Sequence, residues 1–197
     1  MLRNGLKAFK YNRKVVKFIS VPYSFTFMSK EIPVRRVPVN EGDIAAAQAD
    51  YELIAHLQVC CGIVLTDGKE NTMMGHAMRP ESNVGAFTRS FGEYITPRES
   101  VDALLESFRE KEIQSSSLRA HIFGCDDSTI AADTAEDARR VFGAYGIPIA
   151  TDMTQQGRAA GYSITRLRVT PTTIKVDFLW LTRPEAEIDL ISKCNVP

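Results

Sequence analysis

The apolar run VCCGIVL at residues 59–65 constrains the fold more than any other stretch of the sequence. A short run with almost no polar position is typical of a strand that is covered on both faces. The turn-rich segment TDGKEN follows, and TMMGHAM at residues 72–78 then predicts a second strand. The chain is therefore expected to form a buried sheet with other layers packed against it.

Two amphipathic helices are predicted downstream of this strand pair. The apolar stripe of the first comprises Val101, Leu104, Leu105 and Phe108. The stripe of the second comprises Ala135, Ala138, Val141, Phe142 and Tyr145. Thr134 and Asp137 suit a capping box at the start of the second helix, and Gly146 is placed to end it.

The flanking segments have the composition of further strands. IPVRRVPV at residues 32–39 contains two prolines and is expected at a sheet edge, whereas GDIAAAQADYELIAHL at residues 42–57 is ambiguous between a helical turn and a strand. The remaining predicted strands are LRAHIF, IPIAT, GYSITRLRV and TIKVDFLWL. We therefore expect an α/β (α+β) domain in which two helices pack on more than one sheet.

Composition narrows the class of protein. The chain has 24 basic and 24 acidic side chains, which argues against a nucleic-acid-binding protein. No apolar run approaches the ~20 residues that a membrane-spanning helix needs. Two of the four cysteines are adjacent and the other two, Cys125 and Cys194, are distant in sequence. This pattern predicts reduced thiols and a cytoplasmic protein.

Residues 1–28 carry six basic and no acidic side chains. A secretory signal is disfavoured, because FISVPYSFTF is interrupted by Pro22 and lacks a small-residue cleavage site. We expect a flexible basic extension over residues 1–28, with Met28 as an alternative natural start, and a single domain over residues 29–197.

The adjacent cysteines are the first candidate functional residues. If one strand covers residues 56–65, the alternation of side chains separates two faces. One face is apolar and comprises Val59, Cys61, Ile63 and Leu65; the other comprises His56, Gln58, Cys60 and Gly62. Cys61 is then a core thiol and Cys60 the candidate nucleophile. Adjacent cysteines on a strand point apart, so a zinc site is disfavoured.

His76 is the second candidate, because one loop joins its strand to that of Cys60. A neighbouring imidazole stabilises a cysteine thiolate and acts as a general base or acid. In the alternative interpretation, His76 bonds a backbone carbonyl and does no chemistry. His121 is expected to be a structural strand residue that faces a helix.

The order of these residues resembles the CheD family of chemoreceptor glutamine deamidases. The family has a GLGSC strand, an apolar run to Asp, and then G-x-x-H-x-M-L-P. The matching pieces here are Cys60, the run to Asp67, and MMGHAMRP with His76. Further matches are AHIFGC at residues 120–125, YGIPIATD at residues 145–152 and the pair Gly157–Arg158. The resemblance covers roughly residues 32 to 176.

The resemblance also has departures. Gln58 and Val59 stand where the family has Gly and Ser, Ile54 stands where it has a supporting threonine, and Cys125 replaces a glycine. His56 and Gln58, on the face assigned to Cys60, are the candidates to orient the histidine or to donate to the oxyanion. The chain is therefore expected to be a divergent member.

The resemblance implies a layered sandwich of mostly antiparallel sheets with two helices on one side. It implies deamidation of glutamine side chains on chemoreceptors, extending to glutamyl methyl esters, by Cys60 and His76 without a cofactor. It implies a chemotaxis phosphatase as a second partner, and neither nucleic-acid binding nor membrane insertion. Two alternatives remain: a degenerate domain that only binds receptors or the phosphatase, and a toxin deamidase that acts on host proteins.

Overall fold

The computed structural model describes residues 8–11, 14–17, 35–82, 94, 96–126, 129–159, 164–179 and 192–193. The strands in chain order are β1 Ala8–Tyr11, β2 Lys14–Lys17, β3 Arg35–Pro38, β4 Ile44–Ala46, β5 Tyr51–Leu57, β6 Cys61–Thr66, β7 Thr72–Ala77, β8 Arg119–Gly124, β9 Ile149–Thr154, β10 Ile164–Val169, β11 Thr173–Leu179 and β12 Ser192–Lys193. The helices are α1 Pro97–Arg109, α2 Thr129–Tyr145 and the short α3 Gln156–Ala159.

Two five-stranded sheets and the two long helices form an α+β sandwich. Sheet I has the strand order β12-β11-β10-β5-β3, and sheet II has the order β4-β7-β6-β8-β9. The pairs β3–β5 and β8–β9 are parallel, and the other pairs of both sheets are antiparallel. Both helices pack on sheet II, whose opposite face meets sheet I. The predicted fold class is confirmed.

Strand β6 lies at the centre of this arrangement, and all six of its residues are buried. Cys61, Ile63 and Leu65 pack in the core that includes both helices, whereas Val64 packs in the core between the sheets. This two-sided burial explains the continuous apolar run, because neither face of the strand meets water. The prediction of a doubly covered strand is confirmed for residues 61–65, whereas Val59 lies before the strand and is 37% exposed.

Helix α1 has a complete N-terminal cap, in which Thr96 and Glu99 each bond the backbone N–H of the other. Helix α2 begins at Thr129, so the capping box predicted at Thr134 and Asp137 is wrong. The Thr134 hydroxyl donates to the Ile130 carbonyl inside the helix, and Asp137 accepts from the Glu81 N–H. The side-chain oxygens of Thr and Asp also form hydrogen bonds within helices and with neighbouring segments. Their spacing alone therefore does not show where a helix begins.

The buried faces of the helices otherwise follow the predicted stripes. Tyr145 is the exception: it is the last residue of α2, it is 41% exposed, and its hydroxyl donates to the Asp102 carboxylate. Gly146 follows with φ +65°, the left-handed conformation that glycine tolerates at a helix end. His121 also departs from the prediction, since it alternates with Ala120 and Ile122 and so faces sheet I.

The ambiguous segment of residues 42–57 forms two strands, β4 and β5, and β3 is an edge strand as predicted. Strands β1 and β2 pair as an antiparallel hairpin. The other residues of the 1–28 extension, and also Trp180 and Cys194, lie outside the described residues, so the boundary at residue 29 stays a prediction. No described helix is both long enough and apolar enough to cross a membrane.

Candidate active site

The candidate site lies where the chain crosses from sheet I to sheet II. Residues 39–43 connect β3 to β4, and residues 58–60 connect β5 to β6. Because β3 and β5 are parallel neighbours, both connections leave sheet I at the same end of the sandwich. Residues that are far apart in sequence thus meet there. We refer to residues 39–43, residues 58–60 and His76 together as the crossover site.

Cys60 lies in the bend that precedes β6, and its side chain packs in the core between the sheets. Its carbonyl accepts from the Cys125 N–H at 2.9 Å, and the neighbouring Gln58 carbonyl accepts from the Asp126 N–H at 2.8 Å. The thiol lies 3.8 Å from Oε1 of Glu41, to which it donates. Backbone bonds to the end of β8 therefore hold the bend, while a carboxylate contacts the sulfur.

The pKa of the Cys60 thiol is raised to about 12. Burial is the largest cause, and the negative charge of Glu41 adds to it; the positive charge of Arg79 opposes both. Since only the thiolate is a strong nucleophile, Cys60 is protonated and unreactive in this conformation. The side chain is also only 2% exposed.

His76 lies near the end of β7 and is opposite Gly62 on β6. His76 lies on the same face of β7 as Met74, and this face packs in the core that also contains Cys60. The two candidate residues therefore share a face and an end of the sheet. Its Nδ1 lies 2.9 Å from the Val39 carbonyl. A carbonyl can only accept, so Nδ1 carries the proton and Nε2 carries the lone pair.

The Nε2 atom of His76 is buried and has no hydrogen-bond partner within the described part of the chain. Burial lowers the pKa of His76, although the bond to Val39 and the charges of Glu41 and Asp43 oppose this effect. The imidazole is therefore favoured in its neutral form, with its basic nitrogen free of any described partner. The bond to a backbone carbonyl, which the alternative interpretation of His76 predicted, is present, and it fixes the orientation of the ring.

The supporting roles predicted for His56 and Gln58 rested on one strand over residues 56–65, which is wrong. The chain leaves sheet I after Leu57, bends, and enters sheet II at Cys61, so alternation does not continue through the bend. His56 is exposed on the outer face of β5, and its charge lowers the pKa of His76. Neither residue is shown to contact Cys60. No hydrogen bond between Cys60 and His76 occurs among the described contacts either.

Cys61 and Cys125 form a pair of thiols next to the crossover site, on the side of sheet II that packs against the helices. Both are buried in the helix-side core, and their hydrogen bond, together with burial, raises the pKa of Cys125. Cys125 has φ +60°, a left-handed conformation that favours glycine. The prediction that Cys61 is a core thiol is confirmed by its burial.

Two residues of the crossover site carried no signal in the sequence. Glu41 contacts Cys60 across 19 positions, and Val39 contacts His76 through its backbone. The parallel pairing of β3 with β5 produces both contacts, and neither composition nor spacing encodes that pairing locally. Within the described ranges, no group of three or more His, Cys, Asp or Glu side chains is placed to hold a metal ion.

No protein-family model matches the chain, and no curated protein matches it significantly.

Proposed function

We propose that the chain is a protein-glutamine deamidase, an amidohydrolase in which Cys60 is the nucleophile and His76 the general base and acid. The observation that carries the proposal is the state of His76. Its Nδ1 is committed to the Val39 carbonyl, and its Nε2 is a buried acceptor without a described partner, on the face that also carries Cys60. A buried, unpaired basic nitrogen is costly, and such groups concentrate at sites of proton transfer.

The reaction follows from these two groups. Nε2 of His76 removes the proton from the Cys60 thiol, and the thiolate attacks the carbonyl carbon of a glutamine side-chain amide. The tetrahedral intermediate collapses as His76 protonates the departing nitrogen, which leaves as ammonia. A thioester remains; His76 then activates water, which releases glutamate and restores the thiol. A glutamyl methyl ester would react in the same way, with methanol as the leaving group.

Substrate entry requires a local rearrangement. Cys60 and His76 are 2% and 3% exposed, so a glutamine side chain contacts the sulfur only after neighbouring side chains move. Transfer of the thiol proton to Nε2 would also break the hydrogen bond of the thiol to Glu41, while the carboxylate stays beside the sulfur. The described conformation then corresponds to a resting enzyme whose thiol is protected.

The resemblance to CheD supports chemoreceptors as the substrate and a chemotaxis phosphatase as a second partner, both in the cytoplasm. The same chemistry on host proteins would make the chain a toxin. The two targets differ in which proteins carry the reactive glutamine, and the reaction at Cys60 is identical.

A second candidate function, binding of receptors or the phosphatase without catalysis, is favoured by a specific observation. The thiol of Cys60 is held protonated by burial and Glu41, and it makes no described hydrogen bond to His76. A degenerate site would have this arrangement permanently. The two candidates therefore differ in whether Cys60 ever becomes a thiolate.

The test is mass spectrometry of a chemoreceptor cytoplasmic fragment after incubation with the full-length protein. We expect conversion of Gln to Glu by the wild type and by Cys61→Ala, and none by Cys60→Ala or His76→Gln. Cys61→Ala is the matched control, because it removes a neighbouring buried thiol on the opposite face of the strand. Binding of the fragment without conversion would support the non-catalytic function, and conversion that is lost with Cys61→Ala would refute the assignment of the nucleophile.

A further inference from the structure

Glu41 places a carboxylate in contact with the candidate nucleophile. Its Oε1 lies 3.8 Å from Sγ of Cys60, and its charge also acts on His76. The turn that carries Glu41 is held in place, because the Gly42 N–H donates to the His76 carbonyl at 2.8 Å. The backbone of this turn is therefore anchored to the strand that carries the base.

This position decides which electrophiles the sulfur can attack. A carbonyl carbon in position to react lies about 3 to 3.5 Å from the nucleophile, so its substituents fall within hydrogen-bond reach of an oxygen beside the sulfur. A carboxylate only accepts hydrogen bonds, and it repels the oxyanion that forms during attack. The substituent beside Glu41 must therefore be a donor, and the amide NH₂ of glutamine is one.

We propose that Glu41 is the specificity-determining residue of this site, selecting neutral amides over methyl esters and over anionic groups. This inference rests on the proposed function. An amide NH₂ donates to the carboxylate, and its carbonyl oxygen then points away from the negative charge. A methyl ester has no donor and places oxygen lone pairs beside the carboxylate. The product glutamate is an anion, so the same charge promotes its release.

The first experiment measures the charge selectivity of Cys60 without requiring turnover. Full-length protein is treated with iodoacetamide, a neutral amide, or with iodoacetate, an anion, and labelling of the Cys60 peptide is followed by mass spectrometry. Relative to glutathione, we expect the wild type to favour iodoacetamide by about ten-fold, the factor that 1.4 kcal/mol of like-charge repulsion produces. Glu41→Gln should abolish this preference, and Glu41→Asp should retain part of it.

Glu70→Gln is the matched control. Glu70 is exposed and lies between β6 and β7, at the end of β6 that is opposite Cys60. The control should keep the wild-type selectivity, which separates the local charge of Glu41 from a general loss of negative charge. A selectivity that is unchanged in Glu41→Gln overturns the inference.

The second experiment compares kcat/KM for peptides that contain glutamine or its glutamyl methyl ester. We expect the amide-to-ester ratio to fall in Glu41→Gln and to stay unchanged in Glu70→Gln. An unchanged ratio in an active Glu41→Gln enzyme overturns the specificity role while the deamidase assignment stands. Charge-selective labelling without turnover of either peptide overturns the deamidase assignment and leaves Glu41 as the group that selects neutral electrophiles at Cys60.

Discussion

Replacing Gly124 by alanine tests how tightly β8 holds the crossover site. Gly124 has φ +82°, in the left-handed region, and it lies opposite Cys61 in the pairing of β8 with β6. A Cβ atom at this position would lie 2.7 Å from the Cys60 carbonyl oxygen and 2.7 Å from Cβ of Leu57. Neither atom is the end of a flexible side chain, so the main chain of the bend has to shift.

The expected cost has two parts. The left-handed conformation costs a residue with a side chain about 1 to 2 kcal/mol, and overpacking in a filled core typically costs about 1 to 3 kcal/mol. We therefore expect Gly124→Ala to lower the free energy of unfolding by about 2 to 5 kcal/mol. The shift would also lengthen the bond between the Cys125 N–H and the Cys60 carbonyl, so any activity at Cys60 should decrease in protein that still folds.

The assay is equilibrium urea unfolding, and the control is Gly143→Ala. Gly143 is an exposed residue of α2, and a Cβ atom there would meet nothing within 4 Å. Alanine is a better helix former than glycine, so the control should be neutral or stabilising by up to about 1 kcal/mol. A Gly124→Ala protein within about 0.5 kcal/mol of wild type, the range of an ordinary surface substitution, would refute the reasoning.

Three further predictions concern stability. Thr96→Ala removes the side-chain cap of α1 and should cost about 1 kcal/mol in urea unfolding, whereas Thr96→Ser should retain most of the stability. Asp177→Ala removes a buried carboxylate that bonds both Arg166 and Arg168, and should lower the free energy of unfolding in urea by about 3 kcal/mol. An unchanged free energy of unfolding would mean that water solvates the two guanidinium groups. His121 is buried and its pKa is lowered to about 4, so between pH 6.5 and 4 the unfolded chain binds a proton that the folded protein excludes. Unfolding free energy should fall by up to about 3 kcal/mol across that window, and His121→Leu should flatten the profile; an unchanged slope would contradict the assignment.

The sequence alone predicted most of the layers of the fold. The continuous apolar run around Ile63 indicates a strand that is buried on both faces, and the helical spacing around Leu104 indicates a helix that is buried on one face. Such patterns can be read from the sequence because burial follows the geometry of each element. Helix ends were predicted less well, because Thr134 has the side chain of a cap but serves the helix interior. The local pattern does not distinguish these two roles, since both use the same hydroxyl.

The geometry of the candidate site could not be predicted from the sequence pattern alone. Cys60 was selected by extending strand alternation through residues 58–60, where the chain in fact bends between sheets. No glycine or proline occurs at these positions, so the ordinary signals of a turn are missing. The pairing of β3 with β5, which brings Glu41 to the sulfur, depends on long-range packing and could only be seen in three dimensions.

The backbone of Val39 has a consequence for how the protein folds. Its N–H bonds the Ile54 carbonyl of sheet I, and its carbonyl receives the His76 ring of sheet II. Both bonds are present together only when the two sheets have docked, so the environment of the His76 ring depends on that docking. The ring is therefore a natural position for a probe that reports when the two sheets come together.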